Sequence, residues 1–318
     1  MAISLHQRVR PAIVVPVLAL LCALPLVTRW IDEPFYLVLA SRVLLFALAA
    51  TSLNLLVGFG GMVSFGHAAF FGAGAYVVAI AAMEGVTSAW VAWPLAMVVS
   101  ALAAAVIGAI SLRTRGVYFI MITLAFAQMM FYVFVSLKAY GGEDGLSMPR
   151  RSDIGLGLDL KSDATFYYVV LAVCAMAVAL LWRLVNSRFG RVLQGIRENE
   201  VRMEAVGFPV YRHKLAAFVI AGAMAGLAGA LAANQNDMAS PSMLHWNQSG
   251  MLLVMVILGG TGTFLGPALG ATVMLLLEET LAEFTLHWQF VMGGVLLAVV
   301  LLLPGGLATL FQRKHLDG

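Results

Sequence analysis

Three polar side chains stand out within one apolar, glycine-rich stretch of this chain. Asn54, Ser64 and His67 lie in residues 54–76, NLLVGFGGMVSFGHAAFFGAGAY, among six glycines. Amide, hydroxyl and imidazole groups can hydrogen-bond a polar solute, and glycines at membrane depth allow a helix to break or another backbone to approach closely. In transporters such breaks often mark the permeation route. The stretch therefore indicates either a polar route or close helix packing in which His67 makes one structural hydrogen bond.

A second glycine-rich stretch, residues 258–271, repeats part of that pattern. Its sequence is LGGTGTFLGPALGA, and residues 259–264 share the spacing Gly-Gly-x-x-Ser/Thr-Phe with residues 60–65. Either an internal duplication or chance can account for six matching positions in a sequence of this composition. The candidate residues of the translocation pathway are Asn54, Gly60, Gly61, Ser64, His67, Gly259, Gly260 and Thr263.

Catalytic chemistry is not indicated by the sequence. The chain has no Gly-Lys dipeptide and so no Walker loop for ATP, and its six histidines lack the Cys/His spacing of a metal site. Ser64 does not lie in a Gly-x-Ser-x-Gly turn. We therefore expect no enzymatic activity, no metal and no cofactor in this chain.

The composition indicates which elements position these residues. Of 318 residues, 62% are hydrophobic and 11% charged, which leaves too few polar side chains to cover a water-soluble globule. The apolar stretches run nearly end to end, so we expect one transmembrane domain over residues 1–318. The Lys and Arg residues lie between apolar runs and form no basic face, which argues against a nucleic-acid partner. Cys22 and Cys174 fall within predicted spans, where we expect them to stay unpaired.

The apolar runs predict ten membrane-spanning helices. Runs of about 17 to 25 residues are long enough to cross a bilayer as a helix. The predicted spans lie near residues 12–28, 36–57, 66–84, 90–111, 117–137, 165–184, 215–233, 248–258, 267–283 and 288–303. The eighth is too short alone, and we expect it to continue into the glycine-rich stretch that follows. The predicted class is an all-α polytopic membrane protein with glycine-broken helices.

The first span could also belong to a signal peptide. Arg8 and Arg10 precede the apolar run IVVPVLALLCALPLV, which is the order of a basic region and an apolar core. No small-x-small cleavage site follows that run. An uncleaved first span is therefore the preferred interpretation.

The distribution of basic residues predicts that both chain ends are cytoplasmic. With the N-terminus inside, twelve Lys and Arg residues fall in inside segments and five in outside segments. Residues 138–164 and 234–247 then form outside loops. Glu278 and Glu279 lie about one turn from the outer end of their span, where they either anchor the helix at the interface or line an external mouth.

One long polar segment is predicted on the cytoplasmic side. Residues 190–214 are GRVLQGIRENEVRMEAVGFPVYRHK, and Gly207 and Pro209 are expected to end a short helix. Such a helix either presents an apolar side to a partner or lies on the membrane with its arginines at lipid headgroups. Its apolar positions are Val192, Ile196, Val201, Val206 and Phe208.

Residues 190–231 resemble the signature of permease subunits of branched-chain amino-acid ABC importers. In that family the Glu-x-x-x-Glu-Ala-x-Gly part of this loop is a coupling helix seated in a cleft of the ATPase. Here that part is EVRMEAVG, so the resemblance assigns ATPase coupling to Glu200, Glu204, Ala205 and Gly207, within a coupling loop of about residues 186–214.

Two further stretches carry the same resemblance. Residues 54–76 are similar to the M-type member of a heterodimeric permease pair, whose H-type partner usually has Asn-Phe-Ala-His in place of Ser-Phe-Gly-His. Residues 252–271, LLVMVILGGTGTFLGPALGA, give the third match, so the likeness covers roughly residues 40 to 303. Met62 departs from the family, which often has Gln there.

The resemblance implies an importer subunit in the bacterial inner membrane that moves Leu, Ile, Val or a related small solute. The implied partners are a homologous H-type permease, two cytoplasmic ATPases that bind ATP and Mg, a periplasmic solute-binding protein and membrane lipid. A self-sufficient ion-coupled transporter or channel for a solute such as urea is the competing class. It would need ionisable groups near the midplane, where only His67 is found.

Overall fold

The molecule is a bundle of α-helices. The computed structural model describes residues 11–31, 33, 35–155, 160, 162–284, 287–303 and 305–308, so Arg8 and Arg10 lie outside the described residues. Its helices are α1 (Pro11–Ile31), α2 (Phe35–Asn54), α3 (His67–Met83), α4 (Ala89–Ser111), α5 (Val117–Ser136), α6 (Asp163–Val185), α7 (Arg188–Glu198), α8 (Glu200–Ala205), α9 (Val210–Asn236), α10 (Trp246–Gly259), α11 (Gly266–Phe284) and α12 (Trp288–Leu302).

Five helices within the described residues are long and apolar enough to cross a membrane. They are Phe35–Phe59, which is α2 with a π-helical extension, Ala89–Ser111, Val117–Ser136, Asp163–Val185 and Val210–Asn236. Shorter apolar helices include His67–Met83, Trp246–Gly259 and Trp288–Val299. The all-α membrane class is thus confirmed. The number of ten spans and the cytoplasmic position of both ends stay predictions.

Helix α9 forms the centre of the bundle and packs against α2, α3 and α4. The approach is close because small residues face each other: a Cβ added to Gly74 of α3 would overlap the Gly226 carbonyl of α9. Ser100 of α4 donates a hydrogen bond of 3.0 Å to the Phe70 carbonyl of α3. Several glycines of the chain therefore allow close helix packing. This is one of the two interpretations given above for the glycine-rich sequence.

A small antiparallel pairing joins the two loops that are predicted to lie outside. Strand β1 (Leu146–Ser147) pairs with β2 (Met238–Ala239). Arg151 bridges the same region, because its guanidinium lies 3.0 Å from Asp163 and 3.3 Å from Asp237. The two loops predicted outside thus contact each other directly.

Two local predictions were wrong. The eighth span does not continue into the glycine-rich stretch: α10 ends at Gly259, and Gly260 follows with φ +113°, a conformation outside the helical region that glycine adopts readily. The segment predicted to be cytoplasmic contains two helices instead of one, since Asn199 is extended (φ −157°, ψ 100°) and its side chain caps α8 by accepting from the Arg202 amide at 2.9 Å.

Candidate functional site

Asn54 joins the two glycine-rich stretches. It is the last residue of α2, and its buried side chain donates through Nδ2 to the Thr263 carbonyl at 2.9 Å and accepts through Oδ1 from the Gly262 amide at 3.2 Å. A Cβ added to Gly58 would overlap the Asn54 amide and would lie 2.6 Å from the Gly262 nitrogen. Residues 54–61 and the α10–α11 loop therefore meet in one contact, which we call the glycine junction.

The chain at the glycine junction is irregular, and hydroxyl groups satisfy its amides. After the π-helix Leu55–Phe59 the backbone turns at Gly61, with φ +68°, and becomes helical again at His67. Ser64 accepts from the Gly66 amide at 3.1 Å. Thr123 of α5 accepts from the Phe65 amide at 3.2 Å, and Ser249 of α10 accepts from the Ala68 amide at 2.8 Å. A helix break of this kind can persist at membrane depth because its amides have such partners.

His67 is buried at the start of α3 and is hydrogen-bonded within the chain. Its Nε2 lies 2.8 Å from the Ser52 hydroxyl, and that hydroxyl donates to the Ala49 carbonyl at 2.7 Å. The ring nitrogen is therefore the donor to Ser52. Its edge also meets the Phe70 ring, with centroids 6.1 Å apart. This geometry agrees with the interpretation in which His67 makes one structural hydrogen bond.

The α10–α11 loop has its own internal contacts. A Cβ added to Gly259 would overlap the Gly266 carbonyl, so the two helix ends are in backbone contact. The Thr263 hydroxyl donates to the Gly260 carbonyl at 2.8 Å. Six of the eight candidate pathway residues thus lie in or next to the glycine junction, while Ser64 and His67 follow it in the chain, and whether a solute passes there stays a prediction.

Helix α7, in the segment predicted to be cytoplasmic, contacts the glycine junction. Arg197, in the last turn of α7, donates through Nη1 to the Gly58 carbonyl. Its aliphatic part covers Gly61, where an added Cβ would lie 3.0 Å from the Arg197 Cγ. No pattern in the sequence indicated this contact, because Arg197 is one of several arginines in its segment and Gly58 is 139 residues away.

Helix α8 contains three of the four predicted coupling residues, Glu200, Glu204 and Ala205, and is held by ion pairs. The Glu200 carboxylate lies 2.7 Å from Lys214 and 3.3 Å from Arg115, and Glu204 lies 4.0 Å from Arg115. Lys214 and Glu200 are mostly buried, so this pair is screened less than a surface ion pair. Arg115, between α4 and α5, and Lys214, in the first turns of α9, thus fix α8 on the bundle.

The side of α8 that faces away from the bundle is exposed and partly apolar. Val201 is 67% exposed and Val206 is 68% exposed, and Ala205 is also exposed. Gly207 follows with φ +93°, and nothing lies within 4 Å of an added Cβ. Ile196, in contrast, is buried against the bundle. Only the second half of the predicted amphipathic segment therefore offers apolar side chains to a partner or to lipid.

Glu278 and Glu279 of α11 pair with Arg42 of α2. The Arg42 guanidinium lies 3.2 Å from Glu278 and 3.9 Å from Glu279, and it also lies over the Phe46 ring at 5.9 Å. Nothing in the sequence pattern indicated that Arg42 pairs with these glutamates. Pairing of this kind is how a charge is kept within a membrane span, and it leaves both interpretations of the two glutamates open.

No group of three or more His, Cys, Asp or Glu residues that could hold a metal ion occurs within the described part of the chain. Cys22 and Cys174 are unpaired.

Comparison with known proteins gives a consistent result. The family described as the permease component of branched-chain amino acid transport systems matches residues 35–300. The chain is 28% identical over 292 residues to the high-affinity branched-chain amino acid transport system permease protein LivM of Salmonella typhimurium, which covers 85% of this chain and 69% of that protein. The corresponding protein of Escherichia coli is 27% identical with the same coverage.

A more distant group of relatives is also matched. The autoinducer 2 import system permease protein LsrC of Klebsiella pneumoniae is 31% identical over 150 residues, 45% of this chain and 44% of that protein. No solved structure matches the chain.

Proposed function

Since the chain belongs to the family of permease components of branched-chain amino acid transport systems, we propose that it is the transmembrane subunit of an ATP-binding-cassette importer for Leu, Ile and Val. The match over residues 35–300 is the observation that carries this proposal, because it includes both glycine-rich stretches and all of α7 and α8. The self-sufficient ion-coupled transporter or channel is not favoured.

The complete importer would contain four kinds of partner molecule. We propose a homologous H-type permease beside this chain, two ATPases on the cytoplasmic side, a solute-binding protein outside, and the lipid of the bacterial inner membrane. ATP and Mg would be bound by the ATPases, and this chain would catalyse no bond chemistry. The solute would cross along the interface between the two permeases.

The proposed topology has ten spans with both ends in the cytoplasm. The basic residues of the sequence support it, and so do the contacts between connections. It puts the Asn54–Gly61 stretch, the α10–α11 loop and α7 on the inner side, and these three segments touch. It puts β1 and β2 on the outer side, where they pair. The loop contacts described above thus agree with the assigned sides.

This topology places the glycine junction at the inner end of the spans. Asn54 ends a helix of 20 residues, which is about 30 Å long and matches the hydrocarbon thickness of a bilayer. We therefore assign the junction to an inner gate and not to a solute site at the bilayer centre. A gate there would lie directly above the ATPases.

The coupling mechanism follows the contacts from α8 inward. A movement of the ATPases would displace α8 and α7 together, since both belong to the segment between α6 and α9 and Glu200 ties α8 to α9. Arg197 would transmit that displacement to the Gly58 carbonyl, and Asn54 would transmit it to Gly262 in the α10–α11 loop. The bundle would thereby alternate between outward and inward access.

Reconstitution of the complex tests the proposal. The tagged chain is purified from gently solubilised membranes, its co-purifying proteins are identified, and uptake of radiolabelled leucine into proteoliposomes is measured with and without ATP. We expect a second permease and two ATPases, and uptake only with ATP and binding protein. Leucine transport by the chain alone, driven by an ion gradient, would overturn the assignment.

A further inference from the structure

The outer side of the chain contains a cavity of about 620 Å³ between α5 and α10. Phe131 and Tyr132, near the outer end of α5, form one wall. His245 and Gln248, at the start of α10, and Met251 one turn further on, form the opposite wall. Glu143, from the loop after α5, also lines it, together with Val135, Ser240, Pro241, Ser242 and Asn247.

The cavity opens toward a face that the described part of the chain leaves uncovered. Tyr132 is 61% exposed, and Met129 and Val133 on the same helix are also exposed. Of the five long apolar helices, α5 has the smallest buried share. In the proposed complex such an apolar helix face needs cover from lipid or from the second permease, and the cavity lies along its outer edge.

Glu143 supplies an unpaired negative charge at this cavity. It is exposed, and no basic side chain of the described residues lies within ion-pair distance of its carboxylate. Its loop is held in place by a 3.2 Å hydrogen bond from the Gly142 amide to the Leu137 carbonyl and by the β1–β2 pairing that follows. The carboxylate is therefore available to a cationic group of a ligand.

Hydrogen-bond donors lie on the opposite wall. The His245 ring accepts at Nδ1 from the Asn247 amide at 3.4 Å, so the neutral ring carries its hydrogen on Nε2 and can donate there. The Phe131 ring fixes the imidazole by an edge contact with centroids 5.2 Å apart. Gln248 adds an amide with two further donor hydrogens.

We propose that this cavity is the site at which the chain first receives the solute, as a free zwitterionic amino acid with an apolar side chain. The ammonium group would bind Glu143, the carboxylate would accept from His245 and Gln248, and the side chain would lie on the aromatic and thioether groups of Phe131, Tyr132 and Met251. The inference rests on the proposed importer function and adds the point of entry. Acidic amino acids should bind more weakly, because a second carboxylate beside Glu143 or against the apolar side chains would be unfavourable.

Photolabelling of the reconstituted complex tests the site directly. The probe is a leucine analogue with a diazirine in its side chain, added with the solute-binding protein and ATPases present. We expect labelled peptides from α5 and from the start of α10, with labelling competed by excess leucine and unaffected by aspartate. Labelling confined to other peptides overturns the proposal.

Charge removal at neighbouring acids provides a matched comparison. Glu143→Gln should raise the KM of leucine uptake by about tenfold, which is the loss of one hydrogen bond to a charged group. Asp144→Asn removes the same charge one residue away, outside the lining, and should change KM less than twofold. Equal effects of the two substitutions contradict the assignment.

Two readouts separate the possible failures. If the wild-type complex shows no ATP-dependent leucine uptake, the proposed function itself is wrong. If wild-type uptake is normal but Glu143→Gln weakens docking of the binding protein, as measured by sedimentation with proteoliposomes, Glu143 serves the protein contact and the solute site is refuted.

Discussion

Replacing Arg197 by Ala tests the link between the cytoplasmic segment and the glycine junction. The substitution removes the hydrogen bond from Nη1 to the Gly58 carbonyl and the aliphatic cover of Gly61. A hydrogen bond from a charged donor contributes about 1.5–3 kcal/mol. If about 2 kcal/mol of coupling free energy depends on this contact, the number of leucine molecules imported per ATP hydrolysed should fall roughly 30-fold.

The assay measures leucine uptake and phosphate release on the same proteoliposomes. We expect ATP hydrolysis to continue while uptake falls, since Arg197 lies between α8, which we propose to contact the ATPase, and the proposed gate. Arg191→Ala is the matched control: it removes an exposed arginine from the same helix, and no ion pair with another described residue involves it. A wild-type transport ratio in Arg197→Ala would refute the coupling path. A fall in the yield of the assembled complex, with a normal ratio, would make the contact purely structural.

Three further substitutions test the gate, the coupling helix and the buried imidazole. Asn54→Leu removes the hydrogen bonds to the Thr263 carbonyl and from the Gly262 amide, at about 0.5–1.5 kcal/mol each, so the purified protein should lose several degrees of thermal stability in detergent, whereas Asn236→Ala at an exposed helix end should not. Gly207→Val and Gly85→Val both put a β-branched residue at positive φ in open space, so we expect the two variants to lose similar stability. Only Gly207→Val should uncouple ATP hydrolysis from uptake. Normal uptake in that variant counts against α8 as the docking element. His67→Ala should slow transport at unchanged complex yield if the imidazole serves the route, while a parallel loss of yield assigns it to structure.

The long helices were predictable because their apolar runs are bounded by polar residues. Helix α4 was predicted as residues 90–111 and is found at Ala89–Ser111, and α5 was predicted as 117–137 and is found at Val117–Ser136. Hydropathy sets such limits by local composition alone. The end of α10 was missed because hydropathy does not distinguish a helical glycine from one at φ +113° such as Gly260.

The glycine junction was only half predictable. Glycine density indicated that the chain breaks near Gly60 and Gly61, since few other residues tolerate such backbones. The segment that contacts this break could not be predicted, because the hydrogen bond from Gly262 to Asn54 spans 208 residues and involves an asparagine with no distinctive sequence context. Tertiary contacts of this length leave no periodicity in a single sequence.

The same hydrogen bond has a consequence for biogenesis. Ribosomes add about 5–20 residues per second, so the 208 residues that separate Asn54 from Gly262 take roughly 10 to 40 s to synthesise. During that time the nascent α2 lies in the translocation machinery or the membrane with a side-chain amide whose native partner does not yet exist. A ribosome that stalls before α10 therefore leaves α2 with a side-chain amide that lacks its native hydrogen-bond partners. The two halves of the glycine junction thus come together only in the last third of translation, when the α10–α11 loop has been synthesised.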